Sequence, residues 1–284
     1  MVKATGTWGR IQLGAWLSLL LVGAAAAADV RTREECQKVY QPSRGQAGKD
    51  VIWVPTEDAL VTRMLQMARV TASDRVYDLG AGDGKIAIAA GKQFGATAVG
   101  IEYNPDMARY AQCLVEAEGV TQRVRVVQGD IFQSDFSSAT VVTLYLLPEL
   151  NLRLRPTLLD MKPGTRVVSH SFLMDDWEPD DRALLPEGSA YLWIVPAKLE
   201  GNWVLRAQEG TDSIDLQLVQ QFQKLSGAAA GAPVADGRIN GPAVSFAFAR
   251  NGELVRVAGR MEGERLVATL TRAGRSANYI GTLR

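Results

Sequence analysis

Histidine occurs once in this 284-residue chain and cysteine only twice. A single imidazole excludes multi-histidine metal sites and most two-histidine catalytic pairs, and two thiols exclude a four-thiolate zinc site or a disulfide-built scaffold, so no metal ligand is assigned. Excess charge of either sign is missing too, since 31 Lys and Arg face 31 Asp and Glu. A protein that neutralises many phosphates needs a basic surplus, so nucleic acid is not an expected partner. Beyond residue 28 no apolar run reaches the ~20 residues of a spanning helix, and no stable transmembrane span is expected. What remains is an ordinary globular composition, 47% hydrophobic and 22% charged, with room for one large domain or two modest ones.

Residues 1–28 have the layout of a signal peptide. Lys3 and Arg10 precede a Leu-rich stretch (Leu13, Leu17, Leu19, Leu20, Leu21) that runs into Ala24–Ala28 ahead of Asp29. The Leu-rich part is about half the length of a spanning helix. Cleavage after Ala28 and export to the periplasm or cell envelope are therefore expected, with an uncleaved N-terminal membrane anchor as the alternative. Loss of Lys3 and Arg10 leaves 29 basic against 31 acidic groups, a formal charge of −2. An oxidising compartment permits a Cys36–Cys113 bridge. Cys113 lies, however, on an amphipathic pattern with Met107, Tyr110, Ala111 and Leu114, where a buried free thiol is the expectation.

Two regions follow, 29–198 and 199–284. The first opens with a polar, turn-rich stretch and the apolar run 51–56, in which Thr56 is placed to cap a helix carrying Leu60, Met64 and Leu65. Short β-branched runs then alternate with helical patterns: strands at 75–79, 96–102, 124–128, 139–146, 165–172 and 191–196, helices at 84–94, 105–118 and 149–160. That alternation predicts an α/β fold with a parallel sheet covered by helices on both faces. After residue 201 the helical period stops. Alternating segments at 214–219, 243–249, 254–260, 265–271 and 277–283, separated by turns such as Asn251-Gly252, predict a small antiparallel β domain, a barrel or a sandwich. Ala235-Asp236-Gly237 reads as a turn, and residues 227–232 read as a loop or a weak barrel corner.

The most informative stretch is Val76-Tyr77-Asp78-Leu79-Gly80-Ala81-Gly82-Asp83-Gly84-Lys85. A strand ends in an acid, glycines follow at alternate positions, and a helix begins. Such glycines admit positive φ and a close ligand, while the helix start offers free N–H groups. The nicotinamide-dinucleotide pattern Gly-x-Gly-x-x-Gly is not met, because the third glycine arrives one position early. Asp78 would also repel a pyrophosphate and suits a cationic ligand, so an oxidoreductase is disfavoured. Glu102 ends the next strand, where a carboxylate can accept both ribose hydroxyls, and Asp130 ends the third, beside a purine amino group. Each acid alone could cap a helix or close a turn. Three at successive strand ends fall on the rim where open α/β sheets bind ligands.

At these residues the chain resembles the class I S-adenosylmethionine-dependent methyltransferases. Asp78-x-Gly80-x-Gly82-x-Gly84 is similar to their first motif, Glu102 to their second-strand acid and Asp130 to their adenine-side acid. The resemblance spans about residues 50–196. It implies a Rossmann-like seven-stranded sheet holding S-adenosylmethionine, with Asp78 near the methionine end, Glu102 on the ribose, and Asp130 with Ile131 around adenine. A narrower resemblance, carried by Trp53-Val54-Pro55-Thr56 and Leu146-Leu147-Pro148-Glu149-Leu150-Asn151, is to bacterial methyltransferases related to the mitochondrial-type protein-lysine enzymes. It implies a protein lysine as acceptor and adds Thr56 to the cofactor-binding set. Lys162–Ser169 also resembles a strand of the non-SET histone lysine methyltransferases. The chain departs from base and glutamine methyltransferases, having no Asn/Asp-Pro-Pro-Tyr after the fourth strand.

Methyl transfer from a sulfonium is an in-line displacement in which the ligand brings the reactivity, so the scarcity of His and Cys does not oppose it. Tyr145, at the end of the fourth strand, is the candidate for the acceptor channel, with a core aromatic as the competing reading. The single His170 lies in the fifth strand, where a structural role is expected. The acidic run 175–181 is expected to be a solvated loop. The alternative to an enzyme is an exported module that binds the same ligand without catalysis.

Overall fold

The computed structural model describes residues 1–6 and 31–284. Beyond residue 6, the signal read at residues 1–28 lies outside the described residues, as does its cleavage point. The α/β part consists of α1 (Arg33–Val39), α2 (Asp58–Met67), β1 (Arg75–Leu79), α3 (Lys85–Phe94), β2 (Thr97–Glu102), α4 (Pro105–Ala117), β3 (Val124–Gln128), β4 (Val141–Leu144), α5 (Pro148–Leu159), β5 (Arg166–His170), β6 (Asp181–Leu185) and β7 (Gly188–Ile194). Local chemistry explains the boundaries. Asn104 caps α4 by accepting the amides of Asp106 and Met107, with Pro105 in the first turn, and Gly95 closes α3 at φ 70°.

The seven strands run in the order β3-β2-β1-β4-β5-β7-β6. The first five are mutually parallel, β7 runs antiparallel to β5, and the edge strand β6 runs antiparallel to β7. Parallel strands point all their carboxyl ends at one rim. The residues after β1, β2, β3 and β4 therefore share a crevice at the point where the strand order reverses. Two apolar layers flank the sheet. Leu60, Met64, Ile86, Met107 and Leu114 from α2–α4 pack on one face, and Leu154 and Leu158 of α5 pack with Trp193 on the other. The side chains of both layers are buried, and such close packing holds the crevice floor rigid.

The remaining strands are β8 (Gly201–Ala207), β9 (Ser213–Gln221), β10 (Lys224–Ala229), β11 (Ala232–Pro233), β12 (Ala235–Asn240), β13 (Ala243–Arg250), β14 (Glu253–Glu262), β15 (Arg265–Arg272) and β16 (Arg275–Leu283). Neighbours pair in sequence from β12 to β16, β16 pairs with β8, and β8 with β9. The β9–β10 and β10–β12 ladders complete the circle, giving a closed eight-stranded antiparallel barrel with β11 appended. Trp203, Leu216, Phe246, Phe248 and Leu266 fill its interior. Asn251 and Gly252 take φ of 51° and 79°, the two left-handed residues of a tight hairpin turn, as expected.

Several local expectations are corrected. β6 lies partly within the run read as a solvated acidic loop. In the same run Trp177 is fully buried, stacked 6.0 Å from Phe222. Of the residues read as a loop, 227–229 belong to β10 and Ala232 begins β11. A side chain on Gly227 would run into the backbone of Gln217, so glycine there permits close strands. Ala235-Asp236-Gly237 belongs to β12, where a register shift between Ala235 and Arg238 accommodates Asp236 at φ 53°. Cys113 is not a free thiol. It is bonded to Cys36, tying α1 to α4 across 77 positions. Among the described residues no helix is long and apolar enough to cross a membrane.

Candidate active site

The turn after β1 is shaped by its glycines and by Glu102. Gly80, Gly82 and Gly84 take φ of 79°, 56° and 75°, and the amides of Gly80 and Ala81 donate to Ile101 O at the end of β2. Glu102 secures the turn with both carboxylate oxygens. Oε2 accepts the Gly82 amide at 2.9 Å, and Oε1 accepts the Asn104 amide at 2.9 Å. Each oxygen accepts one of these bonds and retains capacity for another, as a diol-binding carboxylate requires, and Glu102 borders the crevice.

The turn opens into a cavity of about 670 Å³, within the range of small-molecule sites. Asp78, Gly80, Gly82, Glu102, Asp130, Ile131, Thr56 and Tyr145 all border it. Gly84 lies just behind, where a side chain would crowd Val126 and Ala111. Residues 46–56 cross the cavity as a strap. Its turn is pinned by Gly45 and Trp53 amides donating to Trp53 O and Gln46 O. A methyl group on Gly82 would stand 2.6 Å from the Trp53 indole nitrogen. Gly82→Ala is therefore expected to displace Trp53 and to cost about 1–2 kcal/mol for the left-handed backbone. Tryptophan fluorescence and calorimetric titration of the ligand should both change, and an unaltered Trp53 spectrum would count against this packing.

Electrostatics identify the kind of ligand. Asp78 is 2% exposed, and Thr143 donates to its Oδ1 at 2.7 Å. Burial above all, with the negative charges of Asp83 and Glu102, pushes its carboxyl up to about 7. Burial also raises Asp83. Three acids around one cavity, one of them held at the edge of ionisation, complement a ligand that carries positive charge. Asp130 is placed differently. Its Oδ2 pairs with Lys49 of the strap at 2.8 Å and its Oδ1 accepts the Phe132 amide, and the Lys49 ammonium holds its carboxyl below the usual range. Lys49 lies 4.6 Å from the Tyr103 ring centroid, so the strap is fastened at this end by a charge pair and an aromatic face.

At the other end Thr56 does not cap α2, whose N-cap is Glu57. Its Oγ1 lies 3.0 Å from Nδ1 of His170, while its carbonyl accepts Lys85 Nζ at 2.9 Å. The His170 ring stacks on Tyr145, 3.7 Å between centroids, and Tyr145 stacks 6.4 Å from Phe172. Around Tyr145 the cavity is walled by Leu146, Leu147, Leu150 and Phe172, none of them charged. Asn151, fully buried on α5, donates to Phe172 O and Leu173 O and so holds the turn that presents Phe172.

A model of the ANTKMT methyltransferase domain matches residues 78–181. A protein-lysine N-methyltransferase of Saccharolobus islandicus is 44% identical over 151 residues, covering 51% of this chain and 94% of that protein. The chain belongs to the class I S-adenosylmethionine-dependent methyltransferases. An RNA methyltransferase of Salinibacter ruber, solved in complex with S-adenosyl-L-homocysteine, is 44% identical with a TM-score of 0.51, covering 56% of this chain and 99% of that one. The adenine nucleotide translocase lysine N-methyltransferase of Mus musculus is 29% identical over 131 residues, 46% of this chain and 56% of that protein. S-adenosylmethionine is the cofactor of this methyltransferase, and the three-acid cavity fits its positive sulfonium. The family match includes Asp78, the remaining first-motif glycines, Glu102, Asp130, Tyr145 and His170. The strap precedes it, and the barrel follows it.

Reasoning from the sequence missed Lys49, Asp83, Lys85 and the part played by His170. A lone lysine in a turn-rich stretch carries no periodic signal. Lys85 read only as the residue occupying a glycine's place.

Proposed function

We propose that the chain is a protein-lysine N-methyltransferase in which Asp78, Gly80, Gly82, Glu102 and Ile131 hold the cofactor, Gly84 shapes the turn behind them, Thr56 and Asp130 border the cofactor through the strap, and Tyr145 walls the acceptor channel. The observation that carries the reading is the uncharged wall of Tyr145, Leu146, Leu147, Leu150 and Phe172. A lysine side chain lays its methylene stem along apolar surface and brings its amine against aromatic faces. Desolvation there disfavours the ammonium and frees the lone pair that attacks. The bound cofactor supplies the activated methyl group. The protein's part is to orient the amine and exclude water, contributions that reach about 7–11 kcal/mol in well-aligned reactions. The Saccharolobus islandicus protein, named for lysine, supports this acceptor. The Salinibacter ruber protein is named for RNA, but an even charge balance opposes RNA here.

Export of the chain and a division at residues 198/199 belong to the same proposal. The Cys36–Cys113 bridge supports an oxidising compartment.

The test is to incubate the protein with methyl-labelled S-adenosylmethionine and either a lysine-bearing peptide library or total RNA. Methyl-lysine in the peptide hydrolysate is the expected product. Label confined to RNA would replace the lysine reading, and cofactor binding with no transfer to either acceptor would leave a binding module.

A further inference from the structure

His170 is the chain's only histidine, and it is buried at 5% exposure without bordering the cavity itself. Everything around it aims the imidazole at Tyr145. It is the last residue of β5, so its backbone is held in the sheet by pairing with Ala190. Nδ1 meets Thr56 Oγ1 at 3.0 Å. On the far edge Gly188 leaves room for the ring, since a Cβ there would come within 2.9 Å of Nε2. Between these contacts the ring plane lies 29° from that of Tyr145 at a centroid separation of 3.7 Å. Ser171, next in the chain, adopts φ 64°, a left-handed conformation costly for a non-glycine residue, and the following Phe172 extends the same aromatic row.

We propose that His170, held by Thr56, is a positioning residue that fixes the Tyr145 ring as the wall along which the acceptor amine approaches. The inference rests on Tyr145 walling the acceptor channel. A role in proton transfer does not suit the same geometry. Nδ1 is engaged by a hydroxyl, Nε2 is shut behind Gly188, and burial lowers the imidazole to about 4, so the ring is neutral at working pH. A neutral ring adds no positive charge behind a wall that receives a cationic cofactor and an amine. The bond to Thr56 also joins the strap to this wall, so the element that covers the cofactor also orders the acceptor side. In-line displacement punishes a displaced wall, since about 1 Å of misplacement costs about 100-fold in rate.

The test compares His170→Ala, which removes both ring and hydrogen bond, with His170→Phe, which keeps a stacking ring and loses the bond. Three quantities are read: affinity for S-adenosyl-L-homocysteine by calorimetry, kcat and KM on the lysine-peptide library, and the NMR signals of the Tyr145 ring in protein labelled at tyrosine. His170→Ala is expected to lower kcat by about 30- to 100-fold, with cofactor affinity within threefold and the ring-current shift of Tyr145 lost. His170→Phe is expected to recover kcat to within fivefold, restore the shift, and leave the pH profile between 6 and 9 unchanged in shape. Full activity in His170→Ala, or a His170→Phe protein no better than it in rate and ring signal, overturns the proposal. Should the wild type transfer no methyl group, the acceptor reading fails on its own, and the Tyr145 signals still decide whether His170 positions the ring.

Discussion

Replacing Asp78 by Asn is expected to raise the melting temperature of the ligand-free protein at pH 8 and, in the same molecule, to lower its affinity for S-adenosylmethionine at least tenfold. Asn keeps an oxygen to accept the Thr143 hydroxyl, so the change removes charge while leaving that bond in place. The stability effect follows from proton linkage. Asp78 sits at about 7 in the folded protein against 3.8 when unfolded, so between those values the native state binds the additional proton. Where the native state binds more protons, stability falls as pH rises. The loss begins near pH 4, is complete just above pH 7, and amounts to about 4 kcal/mol, or about 10 °C for a chain of this size. Below pH 4 Asp78→Asn and the wild type should melt alike. Binding runs in the opposite direction, because a cationic ligand restores a partner to the buried carboxylate. Wild-type affinity for S-adenosylmethionine should therefore rise with pH through 7, and Asp78→Asn should lose that rise. Thermal melts from pH 4 to 8 with parallel calorimetric titrations check both halves. An Asp78→Asn protein that melts lower at pH 8, or binds with unchanged affinity, would falsify the role given to this carboxylate.

Opening the Cys36–Cys113 bridge is expected to have a comparable effect of the opposite sign. The bridge closes a loop of 77 residues that contains the strap, α2, the glycine turn, β2 and most of α4. Releasing such a loop raises the conformational entropy of the unfolded chain by about 4 kcal/mol. The α1–α4 contact that remains includes an ion pair of Arg33 with Glu118, which solvent screening leaves weak, and the tilted rings of Tyr40 and Tyr110, 5.9 Å apart. A Cys36→Ser/Cys113→Ser chain should melt about 10 °C lower than the oxidised wild type. A strong thiol reductant should reproduce the shift in the wild type and leave the double variant unmoved. Identical melts with and without reductant, or alkylation of both thiols in the untreated protein, would remove the bridge from the account.

How much of this was legible in the sequence depended on periodicity. β1, β3 and the glycine turn announce themselves through β-branched runs and through glycines that the backbone truly needs at positive φ. Asp78 and Glu102 were readable because parallel strands place their ends on one rim, a consequence of topology alone. Asp130 was readable in position but not in its pairing, since Lys49 reaches it across 81 residues with no local sign. Thr56 looked like a helix cap because a threonine before an apolar run usually is one. Its hydroxyl goes instead to His170, a contact only the tertiary fold creates. The same holds for the bridge, for Trp177 inside an acidic run, and for the glycines of β10 and β12, where close strand packing overrides turn propensity.

The barrel is sealed by its own last strand. β16 forms ladders with β15 on one side and β8 on the other, so the ring joins segments roughly 70 residues apart in the chain. A deletion of Arg275–Leu283 would not shorten the barrel but unzip it, baring two strand edges at once and exposing Trp203, Leu205 and Leu266 to solvent. The ring can therefore form only after Arg275–Leu283 has been made. Until that moment the β8 edge opposite β9 is an open template for the backbone of a neighbour, so folding of the barrel is expected to be slow and sensitive to protein concentration.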